Sequence, residues 1–372
     1  MARKIIISGG GTGGHIFPAV SIANEIKRRE PDADILFVGA EGGMEMEVVP
    51  RYGFPIEGLW ISGIYRQINL RNIRRNLLFP FKLLSSLQNA KGIIKRFQPE
   101  AVVGVGGFAS GPVGRVAGNM GIPLFLCEQN AYPGLVNKWL ADKATKILIG
   151  NEDAHKYFDR NKTIYTGNPI RSMTLPEKRA AKEALGFDPD KPLILSLGGS
   201  LGAKTLNDAW LKHYQKVMAA DVQLFWQCGK IYIKELQPQV KEYPNLKLSA
   251  FIQDMATAYG AADLIVTRAG GSTISELIAL SKPSIMVPSP NVAEDHQTKN
   301  ARSLSDKDAA VLVKDVEARE VLADTALQVL LDTEQLAQLT KNIKEMEKHD
   351  AAKEIVDVIM SHLTTSTVIK SS

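Results

Sequence analysis

The residues best equipped for chemistry sit in glycine-rich turns. The first turn, SGGGTGGH at residues 8–15, contains the spacing Gly9-x-Gly11-x-x-Gly14. Placed between a strand and a helix, such a turn offers backbone N–H groups and a helix dipole to an anion. Ile5, Ile6 and Ile7 suit a buried parallel strand before it. Pro18 fits the first turn of a helix after it, and Ala19, Ile22, Ala23 and Ile26 recur at helical spacing. The spacing is that of a dinucleotide fingerprint. Yet the turn is overfilled with glycine, and it ends in His15, a titratable side chain that a dinucleotide pocket does not need. A second turn, TRAGGSTISE, would open a helix at Gly270, Gly271, Ser272 and Thr273, with Glu276 on its first turn. A carboxylate there can accept two hydrogen bonds from a ribose diol, or it can serve the helix as a dipole or capping group. Both readings stand on the residues alone.

Two more glycine-rich turns, GVGGFASGP and SLGGSLGAKTLN, follow other strand-like runs. A dehydrogenase usually needs one such turn. Paired turns in two domains suggest a cleft holding a diphosphate on one side and an acceptor on the other.

The elements that would position these turns form two series. KIIIS, DILFVG, EAVVGVG, PLFLCE and KILIGN read as strands with helical or loop segments between them. The pattern breaks near TIYTGNPIRSMTLPEKRA, where Asn168-Pro169 marks a boundary. PLILSLGGS, VQLFWQCG, LKLSAF, DLIVTRAGG, PSIMVPS and AAVLVK then form a second series. Alternating strands and helices imply parallel sheets with right-handed crossovers, and ligands beyond the carboxyl ends of the strands. The expected class is α/β, with Rossmann-like domains at 1–167 and 168–350. Residues 351–372 form a helix and tail expected to pack back toward the first domain, with Ile355, Val358, Ile359 and Met360 close to one face.

Composition narrows the setting. The chain has 372 residues, 45% of them hydrophobic, enough for two cores. Cys127 and Cys228 share no metal-like spacing, so a reducing compartment is expected. No apolar run reaches the roughly 18 residues of a spanning helix, and the N-terminus lacks a signal peptide's apolar core. Residues 1–167 carry 21 Lys/Arg against 14 Asp/Glu, and the remainder 24 against 26. The excess base peaks between Arg66 and Arg96, with eight basic residues and no acid. There Arg71, Arg74, Arg75 and Lys82 are interleaved with Ile73, Leu77, Leu78, Phe79, Phe81, Leu83 and Leu84. Bases beside apolar side chains suit an anionic membrane surface, although part of this set can be core beneath a cationic face. No nucleic-acid motif accompanies the patch. Asp32-Ala33-Asp34 has the spacing of a cation-binding pair, but it falls at a strand's amino end, the wrong edge for a ligand. No metal or other cofactor is expected.

The motifs GGGTGGH, CEQNAYPGLVNKWLA, TGNPIR, GGSLGA, FIQDM, RAGGSTISE and EDHQTKNA occur in the order seen in the MurG family, which this chain resembles from Ile5 to about Asn300. The resemblance implies the GT-B fold, two Rossmann-like parallel-sheet domains facing a central cleft. It implies an enzyme at the cytoplasmic face of the bacterial plasma membrane, transferring N-acetylglucosamine from UDP-N-acetylglucosamine to lipid I with inversion. It also allows cell-wall assembly proteins as partners. For the site, it implies that the backbone at Ile252 reads uracil and Glu276 holds the ribose. Ser200 and the turn through Gly271, Ser272 and Thr273 meet the diphosphate. Arg171 lies near the donor, and Gln297 holds hydroxyls of the transferred sugar. Thr12, Gly13, Gly14 and Asn130 close over that sugar, with His15 on the acceptor side. Two departures matter: His296 precedes Gln297 where the family often has Gln-Gln, and Leu201 stands where Gln is frequent. The chemistry needs a base for the acceptor hydroxyl, and His15 or Glu128 could supply it. His15 could equally be a helix N-terminal residue bonded to backbone. The alternatives are a GT-B transferase with another nucleotide sugar or lipid acceptor, and a non-catalytic UDP-sugar-binding scaffold.

Overall fold

The computed structural model describes residues 2–63, 76–170, 173–199, 201–292, 295–347 and 350–371. The chain divides into two compact units, Met1–Arg171 with Lys348–Ser372, and Ser172–Glu347.

In the first unit the apolar runs become the strands β1 (Lys4–Gly9), β2 (Asp34–Ala40), β3 (Ile56–Leu59), β4 (Ala101–Gly106), β5 (Leu124–Glu128), β6 (Lys146–Ile149) and β7 (Thr163–Tyr165). Among the described residues they form a seven-stranded parallel sheet in the order β3-β2-β1-β4-β5-β6-β7. Strands covered on both faces must be apolar on both faces. All six residues of β4 and all five of β5 are buried. Asp34 opens β2 beside Lys4, at the amino edge of the sheet.

The Gly13–Arg29 helix starts earlier than its proline suggests. Pro18 lies inside it rather than in its first turn, and it is buried with Ala19, Ile22, Ala23 and Ile26. The helix ends with Lys27, Arg28 and Arg29 at its negative pole, and Arg28 above all holds the Glu25 carboxyl down at about 2. The helix Ala351–Ser371 returns to this unit. Its Ile355, Val356, Ile359 and Leu363 join the core made by Ile16, Ile22, Ile26 and Phe125. Arg29 closes the contact through Asp357 at 2.5 Å and the Lys353 carbonyl at 3.0 Å.

The second unit repeats the plan. β8 (Leu193–Leu197), β9 (Gln223–Gln227), β10 (Leu246–Ser249), β11 (Leu264–Thr267), β12 (Ser284–Met286) and β13 (Val311–Leu312) form a parallel sheet in the order β10-β9-β8-β11-β12-β13. Its two faces carry separate cores, one around Trp210 and Trp226, the other around Tyr259 and Phe187. Each buried indole N–H has a partner, Ser196 for Trp210 and Asn207 for Trp226.

Strand order reverses at β1/β4 in the first sheet and at β8/β11 in the second. Such switch points are where doubly wound sheets bind ligands. The four glycine-rich turns follow these four strands, and no other feature of the fold places them more tellingly.

Candidate active site

At the β1/β4 switch point the two turns converge on His15. The imidazole Nδ1 lies 3.1 Å from the Gly10 carbonyl oxygen and 3.5 Å from the Thr12 hydroxyl. A carbonyl only accepts, so Nδ1 carries a proton. The structure thus shows a histidine near the helix start bonded to backbone. The β4 turn forms the floor. A Cβ on Gly106 (φ +95°) would stand 2.8 Å from the ring, and one on Gly107 (φ +86°) would stand 2.4 Å from the Gly10 oxygen. Thr12 precedes the helix in extended backbone without capping it by its side chain, and Gly13, Gly14 and His15 form the first turn.

The surplus glycine has a physical reason in Glu45, a residue that sequence reasoning missed. Its side chain is buried (1% exposed), accepting from Gly11 N–H at 2.8 Å and Ala40 N–H at 2.9 Å. A Cβ on Gly10, Gly39 or Gly43 would come within 2.2, 2.5 or 2.5 Å of this side chain. The fingerprint turn thus already holds a carboxylate of its own, and a dinucleotide phosphate at Gly11 would meet a like charge. The available signal was an acidic residue two positions after Gly42-Gly43, in the segment that follows the second strand.

Glu128 ends β5 with its carboxylate fully engaged. Oε1 accepts from the Asn130 N–H at 3.0 Å and Asn130 Nδ2 at 3.1 Å; Oε2 accepts from Gly134 N–H at 3.0 Å and Asn137 Nδ2 at 2.9 Å. At 2% exposure this group organises the loop that carries Asn130.

In the second unit Gly270 caps the Gly271–Ala279 helix in extended backbone, with Gly271, Ser272 and Thr273 as its first residues. Glu276 is the sixth residue, so it lies on the second turn rather than the first, and a capping role falls away. The Tyr259 hydroxyl donates to its Oε2 at 2.8 Å. Burial, and then the Glu276 charge, push the Tyr259 phenol far above its usual range, so it stays a donor. Tyr259 was not legible as a site residue. Neither was Gln227, whose Oε1 accepts from the Ile252 N–H at 2.9 Å while its Nε2 donates to the Gly199 carbonyl at 3.0 Å. That side chain ties the β8 turn to the Ile252 backbone.

His296 and Gln297 open the His296–Ser305 helix, both half-buried, after Asp295 in a left-handed conformation (φ +51°). Gln297 Oε1 accepts from Ser289 N–H at 2.8 Å. Leu201 is exposed. Arg171 and Ser200 lie outside the described residues, as does the 66–75 part of the basic stretch. Within the Phe79–Phe97 helix and the residues just before it, Leu77, Leu78, Phe81 and Leu84 are exposed, whereas Phe79 and Leu83 pack on the core. The stretch is thus both core and surface. Among the described residues, no helix is long and apolar enough to cross a membrane.

Two doubly wound domains, with glycine-rich turns at both switch points, define a GT-B glycosyltransferase. Residues 5–149 match the N-terminal domain of glycosyltransferase family 28, and residues 193–355 match its C-terminal domain. The chain belongs to that family. It is 50% identical over 358 residues (95% of this chain, 94% of the relative) to the UDP-N-acetylglucosamine–N-acetylmuramyl-(pentapeptide) pyrophosphoryl-undecaprenol N-acetylglucosamine transferase of Phocaeicola vulgatus. A protein of the same name from Flavobacterium psychrophilum is 45% identical over 361 residues, covering 96% and 97% of the two chains. The crystal structure of Acinetobacter baumannii MurG matches with a TM-score of 0.76 at 28% identity, over 96% of this chain and 99% of that one.

Proposed function

We propose that this enzyme transfers N-acetylglucosamine from UDP-N-acetylglucosamine to the C4 hydroxyl of lipid I, giving lipid II for peptidoglycan. The observation that carries this reading is 50% identity, across nearly the whole chain, to a transferase named for that donor and acceptor. The geometry is compatible with the following roles. In the second unit the Ile252 carbonyl, on a backbone whose N–H Gln227 already engages, would accept the uracil N3–H. Glu276, oriented by Tyr259, would accept the ribose hydroxyls. The helix N-terminus at Gly271, Ser272 and Thr273 would face the diphosphate; the family resemblance adds Ser200 and Arg171 as donor-binding residues, and Gln297 with His296 for the sugar.

The anomeric bond to the diphosphate oxygen breaks as the bond to the acceptor oxygen forms on the opposite face of the sugar. The configuration inverts, giving a β-1,4 linkage, and UDP departs with the charge it gains. Helix N-terminal N–H groups stabilise that charge electrostatically. The hydroxyl proton passes to His15 at Nε2, the ring nitrogen that the Gly10 carbonyl does not engage. Thr12, Gly13, Gly14 and Asn130 shape the same side. Glu128 is assigned to loop organisation, because four N–H donors already occupy its oxygens. Incubation with radiolabelled UDP-N-acetylglucosamine and a short-chain lipid I analogue should give a labelled disaccharide-lipid. No product there, with product from another nucleotide sugar, would overturn the assignment.

The lipid acceptor also calls for a peripheral place at the cytoplasmic membrane surface. Exposed Leu77, Leu78, Phe81 and Leu84 beside Lys82 support docking through residues 66–96. Changing Arg74, Arg75 and Lys82 to Glu should weaken binding to anionic vesicles, at about 1 kcal/mol per charge. Equal co-sedimentation of variant and wild type would refute that surface.

A further inference from the structure

The Gly10–Gly11 peptide joins two side chains that the sequence keeps apart. Its N–H donates to Glu45 Oε2 at 2.8 Å, and its C=O accepts from His15 Nδ1 at 3.1 Å. We propose that Glu45 is a positioning residue for His15, acting through this single peptide as a carboxylate–peptide–imidazole relay. The inference rests on the reading of His15 as the base.

Three observations carry it. Among the described residues Glu45 is buried with no cationic hydrogen-bond partner; its carboxylate accepts from two backbone N–H groups, one on the glycine turn and one, Ala40, at the end of β2. The side chain therefore pins the turn to the sheet. Next, three glycines surround it where any Cβ would collide, so the local sequence is shaped around the carboxylate. Finally, the preceding peptide is fixed by the Gly10 N–H to Gly106 carbonyl bond at 3.2 Å, and Gly107 closes on the Gly10 carbonyl so tightly that a Cβ there would lie 2.4 Å from its oxygen. A turn this rich in glycine would otherwise sample many backbone states.

The physical effect has two parts. An N–H bonded to a carboxylate polarises its peptide, which makes the attached C=O a stronger acceptor. That acceptor then holds the imidazole in one tautomer and one orientation, as a carboxylate does when it contacts a catalytic histidine directly. No proton leaves Nδ1 in this arrangement. A turn released from Glu45 could rotate the Gly10 carbonyl away and swing Nε2 off the acceptor hydroxyl, and a shift of about 1 Å can cost about 10²-fold in rate.

The test is a double-mutant cycle in the full-length enzyme. Glu45→Gln keeps the volume but can accept from only one of the two N–H groups, and Glu45→Asp keeps the charge but is too short to reach both. Each is combined with His15→Ala, and kcat and donor KM are measured for every variant. UDP affinity and thermal melting serve as readouts of folding. We expect Glu45→Gln to lower kcat about 10²-fold with donor KM within about twofold of wild type. Glu45→Asp should fall between it and wild type. The doubles should be no slower than His15→Ala alone, since a relay without its imidazole has nothing left to lose. Multiplying losses in the doubles, or a wild-type kcat in Glu45→Gln beside a slow His15→Ala, would overturn the relay. A wild-type kcat in His15→Ala would instead remove His15 from the reaction, and the relay with it.

Discussion

The two units share a topology and a glycine-rich signature, yet their turns are filled differently. At the β1 turn, the first unit supplies its own anion: Glu45 occupies Gly11 N–H, and the peptide so fixed carries His15. At the β11 turn, no acidic residue lies in the first turn of the Gly271–Ala279 helix. Its carboxylate, Glu276, sits one turn further along, held by Tyr259. On the proposed function, the same backbone device serves two ends. Filled from within, it places a side chain; left to an outside anion, it becomes a binding site. A glycine fingerprint reports a backbone shape, and what occupies that shape decides the chemistry.

Substitutions can break this contrast in a graded way. The largest effect is expected from His15→Ala, which should lower kcat by about 10²–10⁴-fold. Gly10→Ala should come next. Its Cβ would lie 2.2 Å from the Glu45 carboxyl carbon, so the carboxylate must leave its cage. The variant should mimic loss of Glu45, with kcat down about 10²-fold; a wild-type kcat would show that the caged carboxylate is dispensable. In the second unit Glu276→Ala should weaken UDP binding about tenfold or more, since bonds to a charged group are worth about 1.5–3 kcal/mol, and calorimetry would read this. Tyr259→Phe removes only the bond that orients Glu276, and should cost about 2–10-fold in UDP affinity. Smallest of all is Gly270→Ala in stability: at φ −71° its Cβ would find only the Thr273 hydroxyl, at 3.8 Å. Its melting temperature should match wild type, whereas that of Gly10→Ala should fall. Equal melting of the two glycine variants would erase the distinction between a filled turn and an open one.

Much of the scaffold was legible because buried parallel strands are apolar on both faces. The eleven runs read as strands from their sequence all became strands. The two that escaped, β3 and β7, are the outermost strands of the first sheet, only four and three residues long. Each pairs on one side only, and β3 spells IEGL, which has neither an apolar run nor clean alternation. Pro18 misplaced the helix start because proline is ordinarily a first-turn residue, whereas here glycine turns lead straight into the helix at Gly13. Glu276 was set one turn too early: the helix start near Gly270 was read correctly, but at 3.6 residues per turn a helix from Gly271 completes its first turn before residue 276. The reactive side chains were visible as types in unusual places. Their supports were not. Glu45, Tyr259 and Gln227 act through contacts 34, 17 and 25 residues away in sequence, which no local pattern encodes.

The central claim is a division of labour, with His15 serving the chemical step and Glu276 serving the donor. Steady-state transfer to a short-chain lipid I analogue, with UDP-N-acetylglucosamine varied, tests it directly in His15→Ala and Glu276→Ala. The account predicts that His15→Ala loses kcat while its donor KM stays within about threefold of wild type, and that Glu276→Ala shows the larger rise in donor KM. If His15→Ala instead raised donor KM with kcat preserved, the β1 turn would be a nucleotide site and the account would be wrong.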